Sequence, residues 1–330
     1  MYLNKKILIF LILLCVAINC HALFGMGAAR EQNKMLEDAR EAYQREEYSL
    51  VIDIMDDFLL KESSKKRLKE AYFLIGDSYK MLGAYDKAML RYGEAIEFFP
   101  KDIDLNLALG DIYSYGGMTE KAVQIYQKIL SIDPKNKLAR LSLARAYLAD
   151  GFFTRASKYF KEYLDISGDE NALVFYDYAL SFFMANDYDN AFQYAFKADS
   201  LKPTARTKLL IAKIYKTKGQ DQKAFETIKE AGAQPDAGDE VHLTRALWLA
   251  YDGGQKESME IADYYLKKDP SNRLALFIKY FALYRLGREN EGRQYLQRIA
   301  AQDTNNGFIE NIARKILKDQ PLTKTSNLKI

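Results

Sequence analysis

Apolar and polar positions along this chain recur in a frame of 34 residues. The stretch YFLIGDSYKMLGAYDKAMLRYGEAIEFFP, Tyr72 to Pro100, aligns without a gap onto NLALGDIYSYGGMTEKAVQIYQKILSIDP, Asn106 to Pro134. In that register Gly76 meets Gly110, Tyr79 meets Tyr113, Gly83 meets Gly117, Ala88 meets Ala122, Tyr92 meets Tyr126 and Pro100 meets Pro134. With only 6 Pro, 18 Gly and 24 Tyr in 330 residues, so many coincidences in one register are not chance. A fixed period of this size marks stacked supersecondary units.

The frame continues on both sides. A third unit carries Leu143, Ala144, Tyr147, Gly151, Ala156 and Phe160; after one extra residue a fourth carries Ala179, Phe182, Asn186, Ala191, Ala198 and Pro203. The fifth keeps Ala212, Tyr215, Gly219, Ala224 and Ala231. The sixth keeps Ala246, Gly253 and Pro270, with Ser258 where alanine is usual, and the seventh shows mainly Gly287 and Leu296. Ahead of them Ala39, Tyr43, Glu47 and Ile52 suggest a degenerate opening unit.

Turn chemistry falls where pairs of helices need it. Gly83, Gly117, Gly151 and Gly219 are placed to close a first helix in the left-handed conformation. Pro100, Pro134, Pro203 and Pro270 stand where a second helix must stop, and Asp102, Asn136, Asn272 and Thr204 can cap the helix that follows. Gly or Ala midway along each first helix, facing Ala88, Ala122, Ala156, Ala191 and Ala224, reads as a place where the two backbones approach closely. Tyr79, Tyr113, Tyr147 and Tyr215 read as filling the wedge beside them.

These residues resemble the tetratricopeptide repeat family over roughly residues 33 to 306. The resemblance implies an all-α fold, an α-solenoid superhelix of about seven to eight helix-turn-helix repeats. The expected layout is a degenerate opening repeat at 33–68 and an array at 69–306. Its units lie near 69–102, 103–136, 137–171, 172–204, 205–238, 239–272 and 273–306. A capping helix at 307–319 and a disordered tail at 320–330 follow.

In that family the first helices line a concave groove. Helical phase then gives partner-binding candidates Asp77, Asp111, Tyr115, Arg145, Tyr176, Phe183, Lys213, Tyr251 and Phe281. Some relatives clamp a C-terminal carboxylate with Lys and Asn. Here Asp77, Asp111 and Arg145 stand in place of the asparagines, so that clamp does not carry over. The expected ligand is a protein segment lying across Tyr115, Tyr176, Phe183 and Arg145.

The first residues change the picture of location. Lys5 and Lys6 precede the apolar run Ile7 to Ile18, the order of a signal peptide at residues 1–22, and the run is too short to span a bilayer. Two readings stay open. Cleavage after Ala22 would release a soluble protein, whereas Val16 to Cys20 resembles a relaxed lipobox that would lipidate Cys20. Residues 23–32 then read as a linker, and the localisation expected is the periplasm or a membrane-anchored place in the envelope.

Both cysteines, Cys15 and Cys20, lie in that segment, so the exported domain has no disulfide. Without Lys5 and Lys6 the charges nearly balance, 46 basic against 45 acidic, which disfavours nucleic acid as a partner. One histidine, His242, remains, and a triad or a multi-histidine metal site would have to be built around it alone. No phosphate loop, EF-hand loop or dinucleotide fingerprint is present. The expectation is a scaffold without catalytic residues, cofactor or metal, binding a protein or peptide. A component of a solute-uptake or outer-membrane assembly machine is the second reading and an envelope hydrolase the third.

Overall fold

A computed structural model describes residues 27, 29–61, 64–302 and 307–318, and all statements below concern these. The signal segment with Cys20, half of the linker and the tail 320–330 lie outside them. The described residues form helices joined by short turns, with no strand. No described helix is long and apolar enough to cross a membrane.

Two compact units divide the chain between Asp169 and Glu170. The first holds α1 (29–44), α2 (Tyr48–Leu59), α3 (Lys65–Met81), α4 (Tyr85–Phe98), α5 (Ile103–Tyr115), α6 (Thr119–Ile132), α7 (Lys137–Ala149) and α8 (Phe153–Ser167). The second holds α9 (Ala172–Met184), α10 (Tyr188–Leu201), α11 (Ala205–Thr217), α12 (Asp221–Gly232), α13 (Asp239–Asp252), α14 (Gln255–Lys268), α15 (Arg273–Arg285), α16 (Glu289–Ala300) and α17 (Phe308–Leu317). Within each unit every helix packs on the next in sequence, as in a stack of antiparallel pairs. Helix α1 starts at residue 29, inside the stretch read as linker, because Gln32 and Leu36 are already buried.

One turn closes all eight described pairs. The Gly83 backbone adopts a φ of 72°, and the N–H of Ala84 donates to the Tyr79 carbonyl at 2.9 Å, capping the helix end. The same bond recurs from Glu47 to Ala42 through Arg288 to Leu283, so the described repeats number eight. Two turns dispense with glycine: Asn186 at 63° and Glu46 at 60°. At the opposite ends Asp102, Asn136, Thr204 and Asn272 accept hydrogen bonds from the backbone three residues on, as N-caps.

At Gly76 and Gly110 the small residue midway along the first helix makes room for a ring rather than for the partner backbone. A methyl at Gly76 would lie 2.5 Å from the Tyr92 ring, and one at Gly110 would lie 2.6 Å from Tyr126. The space is filled by an aromatic ring from the second helix, fully buried. Where the glycine becomes Ala144 the ring is Phe160, also fully buried. In the last pair Tyr280 takes the first-helix place, the ring's place is Leu296, and Gly292 stands at the alanine place, where an added methyl would meet Tyr280 at 3.1 Å. Ser258, the departure from alanine in the sixth unit, donates its hydroxyl to the Ala246 carbonyl at 2.7 Å across the pair. Tyr79, Tyr113, Tyr147 and Tyr215 lie further out, each beneath a cation: Lys87, Lys121, Arg155 and Lys223.

Helix α17 closes the second unit with Ala313 and Ile316 buried. Its buried Glu310 pairs with Arg273 at 2.5 Å, tying the helix to the start of α15.

Gly76→Ala is expected to cost about 1–3 kcal/mol by overpacking, and Tyr92→Phe about 1 kcal/mol by loss of a hydrogen bond. The double variant approximates the Ala144 and Phe160 pair and should lose less than the sum. Urea unfolding of all four proteins measures the coupling, and strict additivity would sink this account. Glu46→Gly should gain up to about 1 kcal/mol in the same assay, since a left-handed non-glycine residue costs roughly 1–2 kcal/mol and glycine returns part of that as chain entropy.

Candidate functional site

In the first unit the first helices bring Asp77 (α3), Asp111 and Tyr115 (α5) and Arg145 (α7) onto one face. Tyr92 donates its hydroxyl to Asp77 at 3.0 Å and Tyr126 donates to Asp111 at 2.7 Å. Lys80 pairs with Asp77 at 2.6 Å, and its charge also acts on Asp111. Burial pushes the Asp111 carboxyl up, while the hydrogen bond from Tyr126 holds it back. Both aspartates therefore anchor the buried tyrosines of their own repeats, and their role is first structural. Tyr115 is different: it is 70% exposed and stacks on Tyr85 with ring centroids 6.2 Å apart.

The second unit holds Tyr176 and Phe183 (α9), Lys213 (α11), Tyr251 (α13) and Phe281 (α15). Expected as an open anchor, Tyr176 is in fact buried, its ring covered by the Arg206 guanidinium at 4.5 Å. Phe183 is half-buried against Tyr188, and Lys213 pairs with Glu240 at 2.9 Å. Lys216 is held by Asp252 at 2.5 Å and by Asp221 at 3.1 Å. Of the expected ligand path, Tyr115 and Arg145 lie in the first unit and Tyr176 and Phe183 in the second.

One arrangement in the second unit stays open. Tyr251, 56% exposed at the end of α13, stacks on Phe281 with centroids 6.2 Å apart and planes 8° from parallel. Phe281 is itself buried and stacked between Phe277 and Tyr284, so it supports the site rather than meeting a ligand. The Arg285 guanidinium lies 5.3 Å from the Tyr251 ring. Among the described residues Arg285 forms no ion pair, in contrast to Lys213 and Lys216. The sequence reading did not name Arg285, the last residue of α15, although it lies four residues after Phe281 on the same helical face.

His242 sits half-buried in α13 beside the Tyr265 ring. No group of three or more His, Cys, Asp or Glu among the described residues could hold a metal ion.

Architecture and site define an all-α repeat protein that presents side chains on helical faces. Family models described as tetratricopeptide repeat match residues 70–102 and 115–175. Over those residues the chain is similar to tetratricopeptide repeats. A tetratricopeptide repeat protein from Parabacteroides merdae aligns over 77% of this chain and 99% of its own, with 14% identity and a TM-score of 0.60. PilF of Pseudomonas aeruginosa aligns over 65% of this chain and 97% of its own, with 18% identity and a TM-score of 0.52. At these identities the likeness shows the fold alone. No curated protein sequence matches the chain.

Burial and the neighbouring aspartates raise the phenols of Tyr92 and Tyr126 well above their ordinary value of 10.0. Below pH 10 both states keep these protons and the contribution to stability is complete. As pH rises past 10 the unfolded chain releases protons that the fold retains, so stability falls by up to about 1.4 kcal/mol per pH unit for each tyrosine. Urea unfolding between pH 9 and about 11.5 should show this loss. The combination of Tyr92→Phe and Tyr126→Phe should flatten the slope by up to about two protons.

Proposed function

We propose that the chain is an exported scaffold that holds a segment of a partner protein on the first-helix face of its second unit. The observation that carries this is the exposed Tyr251, stacked on a buried ring and flanked by Arg285, which forms no ion pair among the described residues. Tyr and Arg in a fixed, partly desolvated arrangement are the side chains that dominate binding energy at interfaces. The partner segment would lay an apolar or aromatic side chain on Tyr251 and a carboxylate against Arg285, whose planar fork suits a bidentate acceptor. Lys5, Lys6 and the apolar run to Ile18 support export to the envelope, with either release after Ala22 or lipid on Cys20.

A solute-uptake role would call for an enclosed pocket on a first-helix face. The described residues show two open concavities rather than such a pocket. One is at the start of α1, and the other is a shallow, charged hollow among α14, α15 and α16.

Cross-linked capture from an envelope fraction, with the whole chain as bait, tests the proposal. Tyr251→Ala and Arg285→Ala alter exposed side chains, so the fold should be intact by circular dichroism. Each is expected to lower recovery of the partner about tenfold or more. The same proteins recovered at the same yield from the double variant would remove this site.

A further inference from the structure

The face formed by α13 and α15 calls for two groups at a set spacing: a ring for Tyr251 and a carboxylate for Arg285, whose guanidinium lies 5.3 Å from the Tyr251 ring. An aromatic ring suits Tyr251 best, because stacked aromatic pairs gain energy beyond the area they bury. Side chains four residues apart on a helix are neighbours, with Cβ atoms roughly 5–6 Å apart. An acid and an aromatic residue at that spacing would therefore meet both demands from one rigid element.

The chain carries such a pair on its own surface. Among the described residues, the exposed aromatic side chains with a carboxylate one helical turn away are Phe98 with Glu94, Tyr115 with Asp111, Phe196 with Asp199 and Tyr264 with Glu260. Three of these carboxylates are already held: Glu94 by Arg91, Asp111 by Tyr126 and Asp199 by Lys208. Glu260 is exposed and, among the described residues, in no ion pair. Tyr264 is 53% exposed even with Lys268 over its ring at 4.5 Å. Both stand on α14, which packs against α13 and α15. Tyr251 ends α13, whereas Tyr264 lies roughly 13 Å along α14 from its first residue, so the two rings cannot stack within one chain.

We propose that the partner at this site is a second copy of the chain, whose α14 lays Tyr264 on Tyr251 and Glu260 against Arg285. The inference rests on the reading of Tyr251 and Arg285 as the partner site. Opposite charges without other ion-pair partners, each beside an exposed ring, make the two surfaces complementary. Because the surfaces differ, the contact is heterologous: a copy that receives one neighbour offers its own α14 to another. Copies then add in a row unless the rotation between them closes a ring.

Sedimentation velocity of the whole chain at rising concentration tests this, and the mass should grow beyond that of one chain. Arg285→Glu and Glu260→Arg each set like charges across the contact and should weaken association about tenfold or more. An equimolar mixture of the two variants restores opposite charges at every contact, as does the double variant, and both should recover the behaviour of the unaltered chain. Recovery also shows that the variants fold. A single species with the mass of one chain at every concentration overturns the proposal. So does association indifferent to the reversals, as clustering through the apolar run Ile7 to Ile18 would be. Recovery of Arg285→Glu by Asp86→Arg in place of Glu260→Arg also overturns it, since Asp86 stands four residues before the exposed Leu90 on α4. Loss of an envelope partner from Tyr251→Ala, in a chain that is monomeric throughout, would overturn the second copy and leave the partner site standing. Charge-dependent association that Tyr251→Ala leaves unchanged would remove the site itself.

Discussion

The opening repeats depend on one steric agreement: a residue without bulk on one helix faces a side chain that fills the space it leaves on the other. Gly76 under Tyr92 and Gly110 under Tyr126 are its strictest forms, since even a methyl would invade the ring. Close-packed interiors tolerate neither surplus nor missing volume. The tyrosine hydroxyls then reach through to Asp77 and Asp111, so the same rings that fix the distance between helices also fix two carboxylates on the outer face. Packing and surface charge are thereby set by the same side chains.

That coupling explains how much of the molecule could be read in advance. The helical pairs, their turns and their caps were legible because they rest on local rules: a left-handed residue after a first helix, a proline at a junction, a side-chain oxygen before the next helix. The division of labour inside a pair was not. A small residue on a first helix announces that something comes close, but spacing alone does not say whether it is a backbone or a ring. The seventh unit was faint because Tyr280 stands where the first helix usually has Gly or Ala, with Gly292 at the alanine place of the second helix making room for it. The opening helix began earlier than expected because Gln32, a polar residue, is buried.

The binding face was harder still. Helical phase placed Tyr176, Phe281 and Lys213 on first helices, yet phase says nothing of what neighbours take up. Tyr176 is covered by Arg206, Phe281 is sandwiched between rings, and Lys213 is neutralised by Glu240. What remains open is Tyr251 with Arg285, the last residue of α15. In a stack of similar modules, availability for binding is decided by the next module along.

The fit of Tyr280 to Gly292 in the last pair also bears on how such a chain can change length. Duplicating or deleting one period between the first two complete modules would join like to like, Gly to Tyr in either copy. A crossover between the sixth and the seventh would set Tyr280 against Ser258, or Ala246 against Gly292, giving a collision in one product and a void in the other. The array can therefore grow or shrink by misaligned recombination at its beginning, while its end is locked to one neighbour.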